Sequence, residues 1–175
     1  GLAVDEYGLY YSSSDGVWVL DHDTGAVRDF FDLSNAIYDG LAAIGGRLFV
    51  LTSSTNSIII LDPRTGVVID TFAINAINNT SYTLSGNLGE STDGENLILR
   101  MPSGGLVIDP DTGLIDRWYA YNYGAWAIAG ADGELYRSNG GTTIRVESEL
   151  EQQIRLIPVG YEPRAVAAAV MTASA

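Results

Sequence analysis

The chain has 175 residues, 46% of them hydrophobic, with 22 acidic against nine basic residues, no cysteine and one histidine, His22. That is enough apolar material for a globular core, while a disulfide framework, a thiolate zinc site and the usual histidine-based zinc or iron ligand sets are excluded. The net charge of −13 repels nucleic acid and anionic lipid surfaces, and no stretch reaches the roughly 18 consecutive apolar residues of a spanning helix, so neither a nucleic-acid partner nor direct membrane insertion is expected.

Every basic residue is an arginine. A lysine-free, Asp-rich surface stays hydrated in a salty or exposed medium, and the expected location is extracellular, periplasmic or at the cell surface. The chain opens on apolar residues, Gly1-Leu2-Ala3-Val4, without an initiating Met or a basic leader, which reads as a mature or excised piece of something longer.

In chain order, short apolar runs fall over 2–5, 9–12, 17–20 and 26–31, parted by Tyr7-Gly8, Asp15-Gly16 and Asp21-His22-Asp23-Thr24-Gly25. The pattern returns over 41–44, 48–51, 58–61 and 67–72, with Asp62-Pro63-Arg64-Thr65-Gly66 as its last turn. A third unit has Asp93-Gly94 and Gly104-Gly105 around 97–99, then 106–108, Asp109-Pro110-Asp111-Thr112-Gly113 and 114–119. The fourth keeps Asp132-Gly133 and Gly140-Gly141 around Leu135 and Tyr136, but its last turn has become Glu147-Ser148-Glu149-Leu150-Glu151, an acidic hairpin end.

The recurring phrase is that of a hairpin: Asp caps the turn through an Asx bond, Pro presets φ, and Gly takes the left-handed conformation of a bulge. Its glycines, Gly25, Gly66 and Gly113, are 41 and 47 residues apart, and the equivalent Leu9, Leu48, Leu97 and Leu135 step by 39, 49 and 38. Four short strands per unit, with no helical period, predict an all-β fold: a β-propeller of about four four-stranded antiparallel blades plus one extra strand. A plain β-sandwich also has strands this often, but does not require its turns to recur in register every four strands.

Gly8-Leu9-Tyr10-Tyr11, Asp15-Gly16-Val17-Trp18-Val19-Leu20-Asp21 and Asn56-Ser57-Ile58-Ile59-Ile60-Leu61-Asp62 resemble blades of the YVTN, NHL and PQQ-type propeller superfamily. The resemblance covers nearly the whole chain and specifies blades, not an activity. The quinoprotein pattern within that superfamily implies a tryptophan after the Thr-Gly turn that docks neighbouring blades; here Phe30, Phe72 and Trp118 lie near that place.

The expected organisation is one partial propeller over 1–175, with blades over 1–34, 35–76, 82–121 and 124–159 and the start of a fifth over 160–175, where Pro163 precedes an apolar run. Such a set leaves blade faces to be covered, so a ring completed by more chain, by a homo-oligomer or by a larger assembly is expected.

Candidate binding residues lie in two segments. The long connection over 75–90 carries overlapping N-glycosylation triplets at Asn78 and Asn79. The stretch from Trp118 to Trp126 is rich in aromatics, of which Tyr119, Tyr121, Tyr123 and Trp126 are candidates to stack on a sugar or seat a partner. The pairs Asp21/Asp23 and Asp109/Asp111 begin like a calcium loop, but the glycine comes one place early and no bidentate Glu follows at position twelve. A hairpin turn accounts for them, and His22 falls at an exposed turn tip.

No Gly-x-Ser-x-Gly elbow, phosphate loop or histidine-based triad is present. The expected function is therefore a non-enzymatic interaction or ligand-binding module of an exported or surface protein, with a protein, carbohydrate or small-ligand partner and no cofactor. The alternatives are a metal-dependent lactonase- or lyase-like enzyme and a repeat block of an adhesin or filament protein. For the enzyme, propeller topology points to Asp39, Glu90 and Glu162 as ligands of calcium or another divalent cation.

Overall fold

A computed structural model describes residues 1–33, 38–52, 54–74, 88–90, 94–101, 104–120, 127–131, 134–138, 143–147 and 153–158. It is all-β. Sixteen strands among these residues form four antiparallel sheets of four, each ordered as in the chain; we refer to the sheets as blades 1 to 4. Blade 1 holds β1 (Leu2–Val4), β2 (Leu9–Ser12), β3 (Gly16–Leu20) and β4 (Val27–Asp32). Blade 2 holds β5 (Tyr38–Ile44), β6 (Arg47–Thr52), β7 (Ser57–Leu61) and β8 (Val68–Ala73). Blade 3 holds β9 (Leu88–Glu90), β10 (Leu97–Met101), β11 (Gly104–Ile108) and β12 (Ile115–Ala120), and blade 4 holds β13 (Ala127–Ala131), β14 (Glu134–Ser138), β15 (Thr143–Glu147) and β16 (Gln153–Pro158).

The Thr-Gly turns form as their chemistry dictates. Asp21 Oδ1 accepts from the backbone N–H of Thr24 at 2.9 Å and from its hydroxyl at 2.8 Å, and Asp109 Oδ1 accepts from the N–H groups of Asp111 and Thr112 at 2.8 and 2.9 Å. The glycines follow at φ 70° (Gly25), 68° (Gly66) and 68° (Gly113), the left-handed conformation that a side chain disfavours. Each turn is followed by a register shift, between Val19 and Leu20, Ile60 and Leu61, and Val107 and Ile108. The shift places one extra residue in the fourth strand, and the same irregularity persists at Val146 and Glu147 in blade 4, where the Thr-Gly phrase is gone.

The first strands of successive blades pack together, β1 on β5, β5 on β9 and β9 on β13, in an open succession. Outer strands β4 and β8 are mostly exposed, whereas β6 and β7, in the middle of blade 2, are almost wholly buried. Blade faces meet through strand alternation. Ala3, Tyr10, Val17, Val19 and Phe31 of blade 1 cover Leu41, Leu48, Val50 and Leu61 of blade 2. The opposite side of blade 2, including Ala42, Phe49, Leu51, Ile58 and Ile60, covers Leu97, Leu99, Leu106 and Ile108 of blade 3.

Two smaller contacts recur at the junctions. The Phe31 ring lies over Gly66 of blade 2, and the Phe72 ring over Gly113 of blade 3, where a Cβ atom would stand 2.6 Å from Phe72 Cγ. Each glycine thus serves as a socket for the aromatic ring of the preceding blade. Of the two neighbours Phe30 and Phe31, it is Phe31 that docks, because Arg28 is the extra residue of the bulge and sets the alternation beyond it. In blade 3 the same register place is Tyr119, next to Trp118. At the rim of the second junction, Arg47 donates to the Pro110 carbonyl at 3.2 Å and to Asp111 Oδ1 at 2.7 Å.

Candidate functional site

Between blades 1 and 2 a cleft of about 370 Å³ is lined by residues including Glu6, Tyr7, Arg28, Asp29, Pro63 and Arg64. Next to the cleft, Asp5 anchors the turn that carries Glu6 and Tyr7: its Oδ1 accepts from the N–H of Tyr7 at 2.7 Å and from the Tyr10 hydroxyl at 3.0 Å. The Tyr10 hydroxyl also lies 3.5 Å from the Pro63 carbonyl oxygen of blade 2. Burial first, then the neighbouring Asp5 carboxylate, pushes the Tyr10 phenol well above the usual tyrosine range, so it stays a neutral donor. Asp5 Oδ2 is buried with no hydrogen-bond partner among the described residues.

The cleft's cations are already employed. Arg28 donates to the Tyr7 carbonyl at 2.8 Å. Arg64 donates to the Tyr7 hydroxyl, with its guanidinium carbon 4.4 Å from the centroid of that ring. The hydrogen bond to Tyr7 raises the Arg64 pKa further above its ordinary value. The lining is polar and of a size that accepts a small polar ligand.

The second feature is the side of blade 1 that faces away from blade 2. Leu9, Tyr11, Trp18 and Leu20 on it stand in the register places of Leu48, Val50, Ile59 and Leu61 in blade 2 and of Leu97, Leu99, Leu106 and Ile108 in blade 3. Leu48, Val50, Leu61 and all four blade 3 residues are buried, whereas Tyr11 is 50% and Trp18 37% exposed. Trp18 and Phe30 form a tilted ring pair on that side, with centroids 4.5 Å apart. The turn beside them is equally open: nothing lies within 4 Å of a Cβ placed on Gly25, in contrast to Gly66 and Gly113. Asp23 is 84% exposed and makes its side-chain contact with the adjacent His22, at 3.1 Å. Sequence reasoning passed over Tyr11 and Trp18; the signal was their shared place on the face that is apolar and enclosed in the next two units.

Of the residues singled out from the sequence, Tyr121, Tyr123, Trp126, Asn78, Asn79 and Glu162 lie outside the described residues, as does the start of a fifth blade. Tyr119 stands in the outer strand β12, paired with Gly105. Asp39 falls at the irregularity between Tyr38 and Gly40 in β5. Glu90 ends β9, paired with Leu97 of β10. Among the described residues no group of three or more His, Asp or Glu side chains is placed to share a metal ion.

No protein-family model matches the chain, and no curated protein sequence matches it. Solved structures do. The chain is similar to glutaminyl cyclase of Myxococcus xanthus, at 19% identity and a TM-score of 0.56, over 71% of this chain and 51% of that one. It is also similar to hydrazine synthase of Kuenenia stuttgartiensis, at 14% identity and a TM-score of 0.61, over 90% of this chain and 48% of that one. At such identities the likeness shows the fold alone, an all-β architecture of the propeller type. The chain spans about half the length of these two structures.

Proposed function

We propose that this chain is a non-enzymatic β-propeller module that binds a protein partner and belongs to a larger assembly outside the cytoplasm. One observation carries the reading: the apolar face of blade 1, with Tyr11 and Trp18 exposed, stands in register with faces that are buried in blades 2 and 3. A contiguous exposed apolar surface of this kind marks an interaction site, and aromatic residues are the side chains most often used to anchor one. The cleft over Tyr7, Arg28 and Arg64 is a subsidiary place for a small polar ligand or a sugar. Of its charged groups, Arg64 joins blades 1 and 2 through the Tyr7 hydroxyl, while Arg28 holds the Tyr7 carbonyl within blade 1.

The test pairs a cross-linking measurement with an activity measurement. A photoreactive phenylalanine analogue at position 11 or 18 forms protein adducts in an extract of the producing cells, while the same analogue at Val68, on the exposed outer strand of blade 2, does not. Equal adduct formation from all three positions contradicts the reading. So does metal-dependent hydrolysis of lactones or esters by the purified chain that Asp39→Ala or Glu90→Ala abolishes.

A further inference from the structure

The cleft between blades 1 and 2 gathers two of the chain's nine basic residues around one tyrosine. Arg28, in the outer strand of blade 1, reaches the Tyr7 carbonyl at 2.8 Å; Arg64, in the last turn of blade 2, reaches the Tyr7 hydroxyl and lies over its ring. Carboxylates outnumber arginines in this protein, and pairing with one is the usual employment of a guanidinium. Here each bond goes to an uncharged oxygen of Tyr7, and among the described residues neither arginine is ion-paired. Asp62 and Glu6 act on Arg64 only through space, behind the effect of Tyr7. A guanidinium has five N–H donors, so each arginine keeps donors to spare.

Two carboxylates line the same cleft without closing on these cations. Glu6 precedes Tyr7 in its turn, and Asp29 follows Arg28. Asp29 Oδ1 accepts from the N–H of Phe30 at 2.8 Å, which leaves the second oxygen of that carboxylate as an acceptor. The walls thus offer two cationic donors and two anionic acceptors, held apart from one another.

Resting on the reading of this cleft as a place for a small polar ligand, we infer that it binds a small monocarboxylate whose other groups are hydrogen-bond donors, hydroxyls or an ammonium. The ligand's carboxylate sits against Arg28 and Arg64, whose planar forks match its two oxygens. Its donors turn to Glu6 and Asp29, which as ionised groups only accept. Tyr7, bonded at both its carbonyl and its hydroxyl, holds the two guanidiniums in place before the ligand arrives, which lowers the ordering cost of binding. A phosphate monoester brings nearly two charges at pH 7. In a chain of net charge −13, with Glu6 and Asp29 alongside, the single charge is preferred.

The experiment titrates glucuronate, glucose, glucose 6-phosphate and serine into the full 15N-labelled chain, following the Tyr7 amide and the Nε–H groups of Arg28 and Arg64. The three sugars share a ring and differ in charge; serine carries the carboxylate with an ammonium and one hydroxyl. Glucuronate or serine shifts all three resonances and binds about tenfold more tightly than glucose and glucose 6-phosphate, with an affinity that falls as salt is added. Tighter glucuronate assigns the ligand to the sugar acids, tighter serine to the amino acids. Arg28→Gln and Arg64→Gln, both on exposed side chains, each weaken binding by about fivefold. Tyr7→Phe keeps both charges and so keeps the preference for glucuronate or serine over glucose, which separates a lost charge from a displaced Tyr7.

Glucose binding as tightly as glucuronate and serine overturns the inference while leaving the cleft a ligand place. Tighter binding of glucose 6-phosphate than of either carboxylate does the same, and so does an affinity unchanged in both glutamine variants. Silence at Tyr7, Arg28 and Arg64 with every probe at about 50 mM, a concentration that reveals even millimolar binding, overturns the inference together with the cleft as a ligand place. None of these outcomes touches the protein-binding reading, because Tyr11 and Trp18 stand on the opposite side of blade 1 and are read by cross-linking.

Discussion

The ring of Phe72 lies across Gly113 of the following blade, so that a Cβ atom on that glycine would stand 2.6 Å from the ring's Cγ. Phe31 and Gly66 repeat the relationship one blade earlier, and Gly25 has the same backbone conformation with no ring above it. The three glycines therefore separate conformational cost from docking cost. In urea denaturation, Gly25→Ala loses about 1–2 kcal/mol for holding a side chain at positive φ, while Gly66→Ala and Gly113→Ala lose that and more. Equal losses at all three positions would show that the rings do not use the glycines as sockets.

Removing the ring itself tests the same junction from the other side. Phe31 is buried between blades 1 and 2, and Phe31→Ala costs about 3–5 kcal/mol as a buried aromatic truncation. Phe30→Ala, on the open side beside Trp18, costs less. A larger loss at Phe30 would reverse the assignment of faces in β4.

The raised pKa of Tyr10 gives an alkaline signature. The folded state favours the neutral phenol, so the contribution is fully present below about pH 10, where an unfolded tyrosine titrates, and is lost as pH rises toward the folded value. Thermal midpoints measured from pH 8 to 11 fall with a steeper slope in the native chain than in Tyr10→Phe. The variant itself loses about 1 kcal/mol at neutral pH with the bond to Asp5.

Asp21 and Asp109 act at the other end of the scale. Hydrogen bonds from Thr24 and from the Thr112 N–H, respectively, lower their pKa values below the ordinary aspartate range. The native state then holds fewer protons than the unfolded chain, and the stabilisation present at neutral pH is lost as pH falls through the unfolded pKa near 3.9 toward the folded one. Asp21→Asn and Asp109→Asn keep an oxygen acceptor without the charge, and flatten the acid limb of a midpoint-against-pH curve. An unchanged acid limb in both would remove the turns from the acid response.

The ion pair of Arg47 with Asp111 joins blades 2 and 3 at 2.7 Å, but Asp111 is largely exposed. A double-mutant cycle with Arg47→Ala and Asp111→Ala gives a coupling of at most about 1 kcal/mol, weakening with salt. Its service is register and partner choice more than stability, and a coupling of several kcal/mol would contradict that.

The hairpins were legible in the sequence because each is decided within a few residues: Asp21, Thr24 and Gly25 need only one another. The docking aromatic was legible only to within one residue, since Phe30 and Phe31 are told apart by a bulge that places Arg28 as an extra residue in β4. The contact of Arg64 with Tyr7 was not legible, because it joins turns 57 residues apart through the packing of two blades. The exposure of Tyr11 and Trp18 was not legible either. What marks them is the neighbour they lack, and a neighbouring blade is a property of the assembled structure and not of the local pattern.

The adjacent pair Tyr10 and Tyr11 offers the most direct test of the open blade face, because the two side chains point to opposite sides of β2. Hydroxyl-radical footprinting of the isolated chain, read by mass spectrometry, should oxidise Tyr11 and Trp18 readily while Tyr10 and Phe49 stay protected. Protection of Tyr11 and Trp18 equal to that of Tyr10 would mean that the face is covered within the chain, and that blade 1 has no surface to offer a partner.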